Sequence, residues 1–389
     1  MIKRVILIIL DGLGIGNAKD EKKYGDEGSN TLLHTIEKTG ILLPNLNKMG
    51  LMNLIYNTKK ETNGFYGVLE EVSPGKDTTT GHWELMGLVL NKPFPTYPNG
   101  FPDFIIKEFE RRIGKEILWN KPASGTEIIE KLGEEHIKTK KPIVYTSADS
   151  VFQIAAHINV IPLEELYKMC EIAREILKGE HAVARVIARP FAGEPGKFYR
   201  TSDRKDFSLE PPDDTLLDIL IKNGYKTLGI GKIYDIFAGR GLTESIHIEN
   251  NTENMATLLK ATIERDEFSL IFTNLVDFDM NYGHRRDVWG FANALLEFDG
   301  FLGNYLRWLK DDDLLIITAD HGNDPTFSKH TDHTRERVPI FGFGKKVKSN
   351  NFIKLNKFSD LGATVAEIFG LKTINGKSFL NKIITDKNK

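Results

Sequence analysis

The 389-residue sequence has a single cysteine, Cys170, so no disulfide can form within the chain and nothing points to an oxidising compartment. No apolar run approaches the roughly 18 residues that a membrane-spanning helix requires. The nearest candidate, Val5 to Leu10, is short, meets Asp11 and a string of glycines, and lacks a small-residue cleavage site. It therefore reads as a buried strand. An excess of charge of one sign is also missing. The formal net charge of -2 gives no electrostatic reason for a nucleic-acid or membrane partner. No internal repeat, coiled coil or low-complexity tract is evident, and only Asp386 to Lys389 reads as a frayed end. These absences leave a cytoplasmic globular chain, and a prior of roughly 150 residues per domain gives it two or three domains.

What is present follows one grammar, a buried strand leading to an acidic or glycine-rich loop. Val5 to Leu10 leads to Asp11, Ser269 to Val276 to Asp277-Phe278-Asp279, and Leu314 to Ala319 to Asp320-His321-Gly322. Thr227 to Ile230 and Val338 to Phe343 read as further strands, and helical patterns run over Asp214 to Asn223, Asp287 to Leu309 and Ser359 to Phe369. Alternation of this kind implies an α/β core, a mostly parallel sheet with helices on both faces. Polar residues just beyond such strands gather at one sheet edge, where ligands bind. From Pro93 the chain changes character: Lys92 to Pro102 is punctuated by Pro and Gly, and Glu210-Pro211-Pro212-Asp213 closes the region. Between them lie expected helices at Ile105 to Ile113, Thr126 to Leu132 and Leu163 to Leu177, with strands at Ile143 to Thr146 and Val183 to Ala188. The expectation is an inserted α+β domain over 93–212 in a core made of 1–92 and 213–389.

Asp11 is followed by Gly12-Leu13-Gly14-Ile15-Gly16, whose third glycine is misplaced for a dinucleotide-binding turn. Asp at the strand tip favours a metal ligand. Asp279 with His284, Asp320-His321 and the downstream His330 and His333 add carboxylates and imidazoles, a donor set suited to Zn²⁺ or Mn²⁺. One such histidine alone is more often a surface or core residue. Together, Asp11, Asp279, His284, Asp320, His321 and His333 suffice for two metals at one edge, and ions roughly 3.5–4 Å apart can clamp both oxygens of an in-line displacement. Lys76-Asp77-Thr78-Thr79-Thr80-Gly81-His82 offers hydroxyls at a helix start. The structural reading is a threonine N-cap; the chemical one is a nucleophile in the positive field of a helix N-terminus. Arg185, Arg189, Arg200, Arg204 and Lys232 are candidate phosphate anchors, although Gly229-Ile230-Gly231-Lys232 lacks P-loop spacing.

On these motifs the chain resembles the phosphopentomutase family of the alkaline phosphatase-like metalloenzymes. The resemblance spans nearly the whole length, through Asp26 to Thr31, Gly75 to Trp83, Lys121 to Glu127, Tyr145 to His157, Ile187 to Phe191, Gly231 to Ile233, Asp277 to Asp287 and Thr318 to Pro325. It implies reversible conversion of ribose 1-phosphate, or its 2-deoxy form, into the 5-phosphate. It also implies two Mn²⁺ ions, with other divalent metals as substitutes, and a phosphothreonine intermediate. By the same resemblance Asp11, Asp320 and His321 bind one metal, and Asp279, His284 and His333 the other. Thr78 becomes the phosphorylated residue because related mutases place a serine four residues before the Gly-His histidine, here His82. The inserted domain becomes a cap, with Ser147, Asp149 and Val151 near the sugar and Arg185, Arg200 and Lys232 on the nonreacting part of the substrate; a sugar bisphosphate is the implied activator. His330 departs from the family pattern, standing where a glycine is common, and could approach the metal. The competing readings are a phosphoglycerate mutase or phosphatase on the same scaffold and, in another class, a metal-stabilised binding protein without turnover.

Overall fold

A computed structural model describes residues 1–147 and 149–385, leaving aside the side chain of Leu355. The expected frayed end, Asp386 to Lys389, lies outside the described residues. The chain divides into two compact units, Met1–Lys92 with Pro211–Lys389, and Pro93–Glu210.

The first unit is built on an eight-stranded sheet. From edge to edge its strands are Glu244–Ile246, Thr227–Ile230, Leu270–Leu275, Arg4–Leu10, Asp313–Thr318, Val338–Phe343, Phe65–Glu70 and Asn351–Lys357. Only Val338–Phe343 runs against its neighbours; every other pair is parallel. This is the mostly parallel α/β sheet that the strand grammar implied. All seven residues of Arg4–Leu10 are buried, as expected of a strand covered on both faces. Its two neighbours are parallel to it and level with it: Leu10 lies opposite Leu275, and Ile9 opposite Thr318. The residues that follow each strand therefore emerge together at one edge, which brings Asp11, Asp279 and Asp320 close despite their distance in sequence.

Several element boundaries differ from expectation. The long helix is Val288–Tyr305 followed by a 3₁₀ turn, Leu306–Trp308, and Asp279 sits in a π-helical turn, Phe278–Gly283, where a loop was expected. Such turns are frequent at functional sites. Among the described residues no helix is long and apolar enough to cross a membrane.

The second unit has a mixed sheet with strand order Leu118–Pro122, Ile143–Thr146, Val151–His157, Arg185–Ala192, Tyr199–Arg200, and Lys205–Ser208 also pairs with Arg185–Ala192. Side chains alternate across it. Phe152, Ile154, Val186 and Ala188 face a core closed by the helices Asp103–Ile113 and Leu163–Ile176. Tyr145, Ala155 and Phe191 face a second core with Ile128 and Ile129 of the Gly125–Thr139 helix. That helix runs a full two turns beyond the expected Leu132, because the apolar face carrying Ile128 and Ile129 continues to the buried Gly133 and His136.

Candidate active site

Thr78 opens the helix Thr78–Leu85, and the cap is not a threonine but Asp77, whose carboxylate accepts from the Thr80 amide at 3.0 Å. That correction frees the Thr78 hydroxyl. It lies 3.2 Å from His321 Nε2, and the same nitrogen is 3.2 Å from Asp11 Oδ1 and 3.4 Å from Asp320 Oδ2. Beside it, Asp279 Oδ2 is 3.3 Å from His284 Nε2, and its Oδ1 is 3.3 Å from His333 Nε2.

Two triads have donor atoms that all lie within 4.8 Å of one another, Asp279 with His284 and His333, and Asp11 with Asp279 and His321. Five of the six expected metal ligands fall in these triads, with Asp279 in both, and the sixth, Asp320, has Oδ2 3.4 Å from His321 Nε2. Asp320 Oδ1 accepts from the Gly12 amide at 3.2 Å, while its Oδ2 stands 3.0 Å from His82 Nδ1, a nitrogen that itself donates to the Thr78 carbonyl at 2.9 Å. His330 is turned elsewhere, its Nε2 2.7 Å from the buried Asp26, which Lys76 and the Arg335 amide also hold.

The donor set fits divalent cations. His321 Nδ1 donates to the Gly322 carbonyl at 3.1 Å and His284 Nδ1 to the Thr331 carbonyl at 2.7 Å, which leaves Nε2 of each ring as the nitrogen that faces the cluster. Asn274 donates to Asp11 at 2.8 Å and Asn323 to Asp279 at 2.7 Å, orienting both carboxylates. Asp11 Oδ1 and Asp320 Oδ2 are buried and receive no hydrogen bond among the described residues. Burial, with Asp320 and Asp279 nearby, pushes the Asp11 carboxyl up. Burial alone would lower His321, but Asp320, Asp11 and Asp279 outweigh it and hold the imidazole well above its usual range. For Asp279 burial acts upward, and His333 and His284 overcome it, keeping the carboxyl well below the usual value. A concentration of buried negative charge with unpaired oxygens is what a cation stabilises.

Glu336, Asn274, Asn323 and His82 were not singled out as functional residues. Glu336 is buried and accepts from the Gly16 and Thr31 amides and from the Thr31 and Thr334 hydroxyls, tying the glycine-rich turn after Asp11 to the segment that carries His333. This gives Gly14 its reason: a Cβ there would stand 2.2 Å from Glu336 Oε2 and 2.7 Å from its Cβ. Because four hydrogen bonds fix the carboxylate, Gly14→Ala is expected to cost about 1–3 kcal/mol of stability by overpacking, read as a lower urea midpoint at unchanged slope. An unchanged midpoint would remove this account of Gly14.

The second unit holds, by itself, a cavity of about 230 Å³ lined by Ser147, Asp149, Val151, Arg185 and Arg200 together with Tyr145, Gln153, Arg189 and Arg204. Strand alternation explains the grouping, since Val151 and Gln153 lie opposite Arg185 and Ile187 on one face. Lys232, in the first unit, is half-buried at the start of the Ile233–Phe237 helix.

Residues 3–373 match the family model of the metalloenzyme superfamily. The chain is similar to phosphopentomutase of Caldanaerobacter subterraneus subsp. tengcongensis, 58% identical over 389 residues covering 98% of both chains. It is 59% identical to phosphopentomutase of Dictyoglomus thermophilum, over 98% of this chain and 99% of that one. It is 57% identical to phosphopentomutase of Carboxydothermus hydrogenoformans, over 98% and 100%.

Proposed function

The chain belongs to the metalloenzyme superfamily and within it to the phosphopentomutases, and from that premise we propose that Thr78 carries the phosphoryl group through a phosphothreonine intermediate. The reaction is an intramolecular phosphotransfer, an isomerisation between pentose 1-phosphate and pentose 5-phosphate, ribose or 2-deoxyribose. The observation that carries the Thr78 reading is its hydroxyl 3.2 Å from His321 Nε2, directly against the carboxylate–imidazole cluster.

Asp11, Asp279 and His321, with Asp320 beside them, would hold one divalent cation, and Asp279, His284 and His333 a second. Mn²⁺ is the ion proposed, consistent with mixed oxygen and nitrogen donors. When bound, the cations supply charge neutralisation for the transferring phosphoryl oxygens and favour the alkoxide of Thr78. The N-terminus of the Thr78–Leu85 helix adds its own positive field at the same oxygen. In transfer, the bond from phosphorus to Thr78 Oγ breaks as one to the sugar hydroxyl oxygen forms, and the sugar's proton leaves while Thr78 regains one. The bisphosphate so formed turns end for end and returns its other phosphate to Thr78. The Pro93–Glu210 unit is proposed as the cap domain: Ser147, Asp149 and Val151 meet the sugar, and Arg185 and Arg200, with Lys232 of the core, meet the nonreacting end. Priming of Thr78 by a sugar bisphosphate and residence in the cytoplasm belong to the same proposal.

A coupled assay tests it. Ribose 1-phosphate and ribose 5-phosphate should interconvert with added Mn²⁺, stop on chelation and resume when the ion is restored. Release of inorganic phosphate without formation of the isomer would instead make the chain a phosphatase.

A further inference from the structure

We propose that the N-terminus of the Gly125–Thr139 helix and the hydroxyl of Tyr145 together seat a phosphomonoester, the nonreacting phosphate of the pentose substrate; this rests on the pentose-phosphate reading above. The first amides of a helix have no partners within it, and a side-chain cap usually satisfies one of them. This helix is 15 residues long, and Ser124 at its N-cap position makes no such bond, its hydroxyl lying 3.2 Å from Thr126 Oγ1 instead. Ala123, Ser124 and Gly125 open onto the cavity of the second unit.

Tyr145 supplies the independent sign of a ligand. Its side chain is 1% exposed, it lines that cavity, and its hydroxyl has no hydrogen-bond partner among the described residues. Its cross-strand partner is already engaged: Tyr145 pairs with Gln153, whose Oε1 takes the Arg189 Nε hydrogen at 3.0 Å. Burial pushes the Tyr145 phenol up, outweighing Arg189, Arg200 and Arg204, so at neutral pH it is a donor. A buried donor among three arginines lacks an acceptor, and an anion is the acceptor such surroundings favour. Gly125 marks the floor of the seat. A Cβ there would stand 2.0 Å from Arg200 Nη2 and 2.6 Å from Tyr145 Oη, so both groups close over a position that only glycine leaves clear. The cavity, about 230 Å³, also leaves room for a sugar beside the phosphate.

The test uses the full-length, metal-loaded protein carrying Thr78→Ala to stop transfer, with calorimetric titration of ribose 5-phosphate and of inorganic phosphate. Adding Tyr145→Phe should weaken ribose 5-phosphate about tenfold, while the melting temperature stays level or rises because an unsatisfied hydroxyl is removed. With Thr78 intact, Tyr145→Phe should raise KM more than it lowers kcat, the signature of lost ground-state binding. Gly125→Ala should weaken the same ligand; if it fails to fold, Tyr145→Phe decides alone. Unchanged ribose 5-phosphate affinity in Tyr145→Phe, or lost affinity accompanied by a lower melting temperature, overturns the proposal. If wild-type protein interconverts no pentose phosphates yet its inorganic phosphate affinity depends on Tyr145, the seat stands and the pentose reading fails.

Discussion

Thr78→Ala is expected to reduce pentose phosphate interconversion by on the order of 10⁴-fold or more, with the fold intact. The hydroxyl that is lost is the one facing His321, and the helix does not depend on it. Asp77 caps that helix, its Oδ1 accepting from the Thr80 amide at 3.0 Å and its Oδ2 from the Thr80 hydroxyl at 2.6 Å. The neighbouring threonines are therefore controls with opposite signatures. Thr80→Ala keeps the amide cap but removes the hydroxyl's bond to the capping carboxylate, and should cost about 1 kcal/mol of stability while most turnover remains. Thr79 is buried, and Thr79→Ala should likewise leave the phosphorylated position untouched. Thr78→Ser keeps the hydroxyl and should still take the phosphoryl group, at a lower rate because the methyl that restricts its rotamer is gone. Coupled assays give the rates, and peptide mass spectrometry after incubation with a sugar bisphosphate locates the phosphate. A phosphate on Thr79 or Thr80, or turnover in Thr78→Ala above about a tenth of wild type, would end the assignment.

Much of this arrangement was legible in the sequence because parallel sheets convert strand ends into a shared edge. Three apolar runs ending in Asp sufficed to bring Asp11, Asp279 and Asp320 together, whatever the intervening chain does. The last two strands of the sheet, Phe65–Glu70 and the edge strand Asn351–Lys357, escaped notice because Gly67 and the Lys and Asn residues of 351–357 dilute their apolar pattern. Which carboxylate is shared between the triads could not be read at all. That depends on side-chain direction in the π-turn at Phe278–Gly283 and on His82 lying against Asp320, neither of which spacing encodes. The same holds for the cap. Thr and Asp are both good N-cap residues, and only the backbone shows that Asp77 takes the position and leaves Thr78 free. His330 illustrates the reverse case: an imidazole three residues from the proposed ligand His333 looks like a candidate, yet the buried Asp26 takes its Nε2. Tyr145 left no signal, since an aromatic in an apolar strand looks like core until its hydroxyl proves to have no partner.

Asp279→Asn should have an effect on the scale of the nucleophile's loss, for a reason specific to this cluster. Each of its oxygens serves a different imidazole, Oδ2 toward His284 and Oδ1 toward His333, and it is the one residue common to both triads. Substituting one charged ligand by an amide therefore weakens two cation sites at once. Turnover should fall by on the order of 10³-fold or more, about 4 kcal/mol of transition-state stabilisation, and bound metal should drop from two ions per chain to less than one. His284→Ala removes a ligand from only one triad and should leave one ion tightly held. Because Asp279→Asn has already disabled the site that His284 serves, the double variant should be little worse than Asp279→Asn alone, a non-additivity expected of residues acting as one unit. Metal content by elemental analysis, with calorimetric titration of Mn²⁺ into stripped protein, separates these cases. One tightly bound ion in Asp279→Asn would show that Asp279 serves a single site, and the grouping would then revert to Asp11, Asp320 and His321 against Asp279, His284 and His333.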